Sequence, residues 1–285
     1  MKPIIITKNK TLKFLALLLT LNIVINFTAC KEKGCTDSHA SNYNADAKKD
    51  DGSCITDDHD HNHDDQSGTT TMKINVSHKV GAQNFAYNTN FSDCNGRKYQ
   101  FSKVQFYSSI MFKNHDGNFK TPSDGGGYLL VSPDDIEYNL GVIESNHYHG
   151  LSFNVGVDSI TNHADPAILA STHPLSADNN KFSHWGWNSG YKFIVLEGLV
   201  DTSKSMSGTV DAPFVFHIGT DALYRKNDFT KHFDADSAAT YTLNLTIDWS
   251  KFFDGINLRT DNNATTLSPL ATTVADNGSG SISIQ

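Results

Sequence analysis

RKYQFSKVQFYSSIMF, residues 97–112, sets apolar side chains between polar ones in the short alternating runs of a half-buried strand. Six further runs share this texture: MKINVSHKV (72–80), GYLLVS (127–132), HGLSFNVGV (149–157), GYKFIVLEGLV (190–200), APFVFHIG (212–219) and YTLNLTIDW (241–249). Clusters such as HDGN at 115–118 and SDGGG at 123–127 punctuate them as turns. Seven or so short strands with little helix predict an all-β domain over 72–285, an antiparallel β-sandwich. Short helical turns are expected at DPAILA, 165–170, and DWSKFFDG, 248–255. The 38% hydrophobic content, with 17 Phe and 10 Tyr, can fill a core of that size.

N-terminal to this domain the composition changes three times. Lys2, Lys8, Lys10 and Lys13 form a basic region, followed by a largely apolar stretch from Phe14 to Phe27. That stretch is shorter than the ~20 residues of a membrane span, so residues 1–29 read as a signal peptide. It ends in Phe27-Thr28-Ala29-Cys30, the layout of a lipobox, where Cys30 would be lipidated and become the mature N-terminus. The alternative is an ordinary signal peptide with an incidental cysteine. The lipobox reading implies an exported, membrane-anchored lipoprotein of the cell envelope, in the periplasm or on the outer-membrane surface.

Residues 30–55 carry the lipidated cysteine and a small module, GCTDSHASNYNADAKKDDGSCI. Export to an oxidising compartment predicts a disulfide between Cys35 and Cys54. Cys94 is then left as a free thiol or a small buried hydrophobe. Asp37, Asn42, Asn44, Asp50 and Asp51 offer oxygens to calcium, although the spacing is not that of an EF-hand. The competing reading is a disulfide-closed polar loop. Residues 56–71 contain no large apolar side chain and form a linker. Within it His59, His61 and His63 alternate with acids. The tract is either a weak transition-metal site or a solvated charged linker.

The formal charge of −8 and the absence of a basic patch argue against nucleic acid. No glycine-rich phosphate loop, nucleophile elbow or H-E-x-x-H helix occurs, and no serine–histidine pair is singled out for catalysis. The expectation is therefore a binding protein and not an enzyme.

Histidine supplies the remaining chemistry. His147 and His149 precede LSFNV, and continuing that strand backwards places both imidazoles on one face with Tyr148 on the other. Two imidazoles at i and i+2 make half of a copper or zinc site. His217 shares a strand face with Val215, opposite Phe214 and Phe216. In so apolar a strand it must be hydrogen-bonded, metal-bound or near the strand end. His184 and Trp185, in HWGW, form a second place where a metal shell could be built, whereas Trp187 reads as structural. His78, His115, His163, His173 and His232 each read as surface or capping residues.

The strings YQFSKVQFYSSIMFKNHDG, SFNVGVD followed by Asn162, WGWNSGYKFIVLEG and FVFHIG together resemble the MbnP-like copper-binding domain family over most of residues 72–250. The resemblance implies a β-rich domain that holds copper through histidine. In some members it also implies a kynurenine made from Trp by a di-haem oxidase partner. Carried over residue by residue, it marks His217 as a ligand, with His147 and His149 at a Trp-x-His ligand pair. Here His147 stands at the Trp position, which points to a plain imidazole site, and Trp185 remains a second candidate for oxidation. The expected function is copper binding, storage or delivery at His217, His147 and His149. Two rival readings are a redox or electron-transfer partner of a di-haem oxidase and a metal-free adhesion module.

Overall fold

The computed structural model describes residues 33–37, 40–55, 68–186 and 189–285. Cys30 and residues 1–29, for which a signal peptide is expected, the histidines His59, His61 and His63, and Trp187 lie outside the described residues.

In the small module Cys35 and Cys54 are disulfide-bonded, with Cα atoms 4.6 Å apart. Four of the five side chains considered for calcium are used in the loop itself. Asn42 donates to Ser53 O at 2.6 Å and accepts from Ile55 N at 2.7 Å. Asn44, Asp50 and Asp51 each accept from the backbone N–H two residues on, at 3.0 Å. These are the local turns that Asn and Asp favour. The geometry is that of a disulfide-closed polar loop.

The second unit is the β domain. Its strands, among the described residues, are β1 (Thr69–Val80), β2 (Gln83–Asn84), β3 (Phe91–Ser92), β4 (Lys98–Asn114), β5 (Phe119–Lys120), β6 (Tyr128–Val131) and β7 (Glu137–Glu144). Then come β8 (Asn146–Val155), β9 (Lys192–Val200), β10 (Ala212–Gly219), β11 (Asp228–Ala235), β12 (Thr240–Asp248), β13 (Asn263–Ala264) and β14 (Ile282–Ile284). The smaller sheet runs β14–β12–β1–β2, with β7 also paired to β1. The larger runs β11–β8–β4–β9–β10–β13, with β3, β5 and β6 also paired to β4.

The all-β sandwich expected from the strand pattern is present, but its sheets are mixed and not wholly antiparallel. β1 pairs in parallel with β12, Met72 opposite Tyr241 and Val76 opposite Leu245, and β10 pairs in parallel with β13. A period of two reads identically in either direction, so alternation alone could not reveal this.

Alternation does decide which side chains meet. Met72, Ile74 and Val76 of β1 and Leu243, Leu245 and Ile247 of β12 are buried on one sheet, and Phe101, Phe106, Phe112, Phe214 and Phe216 on the other. Each such side chain contributes roughly 1.5–3 kcal/mol on burial. A 3₁₀ turn at Trp249–Phe253 joins this core: Phe253 stacks on Phe101 at 5.6 Å and Trp249 on Phe252 at 5.4 Å. The other expected turn forms at Pro166–Ile168.

Among the described residues α-helix is confined to α1 (Ser159–Asn162) and α2 (Pro269–Gly280). α2 has its start signal in Ser268, which accepts from Ala271 N, and in Pro269 at the first turn. Cys94, the cysteine left over, is an exposed free thiol.

Candidate metal centre

At one end of the larger sheet, β8 lies between β4 and the edge strand β11. Tyr148 pairs with Phe233 and His147 with Asp234. Directly opposed residues project to the same side of a sheet, so two layers follow. On the inner side Tyr148 stacks on Phe233 at 5.2 Å, and Phe233 stacks on Tyr241 of the smaller sheet at 4.2 Å. On the outer side stand His147, His149 and Asp234. The aromatic stack thus fixes the strands that carry the imidazoles.

The register breaks beside His149. Thr230 pairs with Gly150 and Phe233 with Tyr148, so Lys231 and His232 together oppose His149. This bulge aims the His232 ring at His149, with ring centroids 4.6 Å apart. The rings of His147 and His149 are 4.8 Å apart, and those of His147 and His232 5.7 Å. One nitrogen from each of His147, His149 and His232 lies within 4.8 Å of the others. Ligands of one ion with bonds of about 2 Å lie about 3–4 Å apart, so side-chain rotations closing roughly 1–2 Å bring the three onto one ion.

Two neighbours refine the cluster. His147 Nδ1 lies 2.6 Å from Asp234 Oδ1. A carboxylate on one ring nitrogen fixes the tautomer and leaves Nε2 for a metal. On the other flank, β4 ends in a second irregularity, where Lys113 pairs with Gly150 and Asn114 with Tyr148. The next residue, His115, places Nδ1 2.9 Å from His149 Nε2. His115 and His232, read from the sequence as isolated surface histidines, are thereby gathered beside His149.

His217 is elsewhere, and its expected convergence with His147 and His149 does not occur. It has the strand face foreseen for it, with Phe214 and Phe216 buried on the other side. However, β9 and β4 separate its strand from β8. His217 pairs with Val195, which pairs with Gln105, whereas Asn114 of β4 is the residue opposite Tyr148. Gln105 to Asn114 is about 30 Å of strand. His217 Nε2 instead meets Glu197 Oε1 at 2.7 Å, which satisfies a histidine in an apolar strand.

His184 stacks on Phe182 at 5.3 Å and meets the edge of Tyr191 at 4.7 Å. Its Nδ1 accepts from Gly186 N at 2.8 Å, and burial pushes its imidazole below the ordinary histidine range. Trp185 lies against Gly219, where an added Cβ would stand 2.5 Å from the indole. It lines a cleft of about 770 Å³ with Asn162, His163 and Asp221. His163 Nε2 meets Asp221 Oδ2 at 3.1 Å, and His173 Nδ1 accepts from Leu175 N at 3.1 Å. His78 bridges Trp249 Nε1, at 3.2 Å, and Asp135 O, at 3.2 Å.

Fold and site define a two-sheet β module with a histidine cluster at the rim of its larger sheet. A family model described as MbnP matches residues 69–268. The chain belongs to the MbnP family. Comparison with curated proteins finds no match. Among solved structures, MbnP from Methylosinus trichosporium is similar with 16% identity and a TM-score of 0.39, covering 65% of this chain and 78% of that one.

Proposed function

We propose that the β domain is a copper-binding module of an exported lipoprotein, holding one ion at His147, His149 and His232. The observation that carries this reading is the approach of three imidazole nitrogens to within 4.8 Å on the outer face of two adjacent strands. Membership of the MbnP family supports copper as the metal, and a purely imidazole donor set suits it. Asp234 would hold His147 in the tautomer that presents Nε2. The ligands stand on strands backed by the Tyr148–Phe233–Tyr241 stack, which gives the site a firm support. The role is binding, storage or delivery of copper, with lipidated Cys30 attaching the chain to a membrane of the cell envelope.

Metal analysis and intact mass of the protein purified from its native cells test both parts. The expected result is one tightly held copper per chain and a mass starting at a diacylated Cys30. A chain of unmodified mass would remove the anchor, and a chain that neither carries nor takes up copper would remove the function.

A further inference from the structure

We infer that His115 supplies a fourth nitrogen to the ion, so that the site is a four-imidazole centre suited to copper(II). The inference rests on the copper reading above and concerns a residue outside the three-histidine set.

His149 is the hub of the cluster. Its ring lies 4.8 Å from that of His147, 4.6 Å from that of His232 and 4.9 Å from that of His115. His115 is held there by its backbone, because its N–H donates to His147 O at 3.2 Å. The turn that carries it is closed by Gly117 N donating to Asn114 O at 3.0 Å and Asn118 N donating to Asn114 Oδ1 at 2.8 Å. Gly117 has φ +80°, where glycine is unstrained. The position of His115 is therefore fixed by the turn and by β8.

The spacing of the His115–His149 pair fits shared coordination, and the rings of His147 and His232 must turn toward His115 for all four nitrogens to reach one ion. Two nitrogens bonded to one ion at about 2.0–2.1 Å and set at a right angle lie about 2.9 Å apart. His115 Nδ1 and His149 Nε2 are already 2.9 Å apart. In the metal-free pair one nitrogen carries the proton and the other accepts it. If His115 is the donor, moving its proton to its own outer Nε2 frees the Nδ1 lone pair. No net proton is gained or lost, and the rings keep their separation. The two lone pairs of such a pair face one another, so each ring must also turn by roughly 45° about its nitrogen before both meet at one ion. Four nitrogens in a tetragonal arrangement are a preferred environment for copper(II).

The test uses the mature full chain with His59, His61 and His63 replaced by Ala, so that the linker contributes no signal. It is loaded with one equivalent of copper(II), and nitrogen couplings are counted by electron paramagnetic resonance. The parent should show four coordinated nitrogens. His115→Gln should show three, with affinity weakened about tenfold and an unchanged melting profile. An unchanged nitrogen count in His115→Gln overturns the inference, leaving His115 as a hydrogen-bond partner of His149. Three nitrogens in the parent also overturn it, while the copper reading stands. A His149→Ala chain that binds copper as the parent does would instead overturn the copper reading itself.

Discussion

Asp234 shows how one exposed side chain can matter more than its packing suggests. Its side chain is 60% exposed, so Asp234→Asn should leave melting nearly unchanged. It removes the carboxylate that orients His147, and loss of such a partner weakens metal binding by about 10–100-fold. Copper titration of the variant checks this. His78 gives a prediction about pH. Burial pushes its imidazole below the ordinary range, so the unfolded chain takes up that proton first as pH falls. Stability should decline below pH about 6.5 and level off once the folded-state value is passed. His173 and His184 shift in the same direction, again by burial, so His78→Gln should make the decline shallower without abolishing it. Chemical unfolding between about pH 7.5 and about pH 5 measures the slope. At this scale the sequence told which face each histidine occupies but not its neighbours. His147, His149 and His217 all project as alternation implied. Which of them meet depends on sheet order, a long-range property that no local pattern encodes. His217 went to Glu197, and His232 joined the cluster.

The site is as much a property of strand pairing as of its residues. Gly150, the residue after His149, lies where an added Cβ would stand 2.6 Å from Phe229 O of β11. Gly150→Ala must push β11 away from β8, and with it His232. Such overpacking costs about 1–3 kcal/mol, and copper affinity should fall with it. Calorimetry and copper titration on one preparation check both effects; unchanged values would mean that β11 does not position His232. β11, together with its bulge at Lys231 and His232, escaped the sequence reading, because DFTKHFDA has only Phe229 and Phe233 as large apolar residues. α2 escaped because VADNGSG carries little apolar periodicity, although Ser268-Pro269 is a sound helix start. The turns at Pro166–Ile168 and Trp249–Phe253 were legible, since each follows an aspartate whose side chain caps it.

On the scale of the whole molecule, the side chains that form the core of the β domain all lie between Met72 and Ile284. A chain beginning at Gly68 should therefore fold and keep the tight copper site; failure to fold would show that the preceding residues contribute to it. Cys30→Ser should release the protein from membranes, since lipid would be its attachment, and retention after a salt wash would remove the lipoprotein reading. The most direct test of the account is a comparison of copper affinity across four single variants of the mature chain, each shown to be folded. The account predicts that His147→Ala, His149→Ala and His232→Ala each lose tight copper binding, whereas His217→Ala, whose ring is bonded to Glu197, keeps it. Loss of the tight site in His217→Ala, with binding intact in the other three, would contradict it.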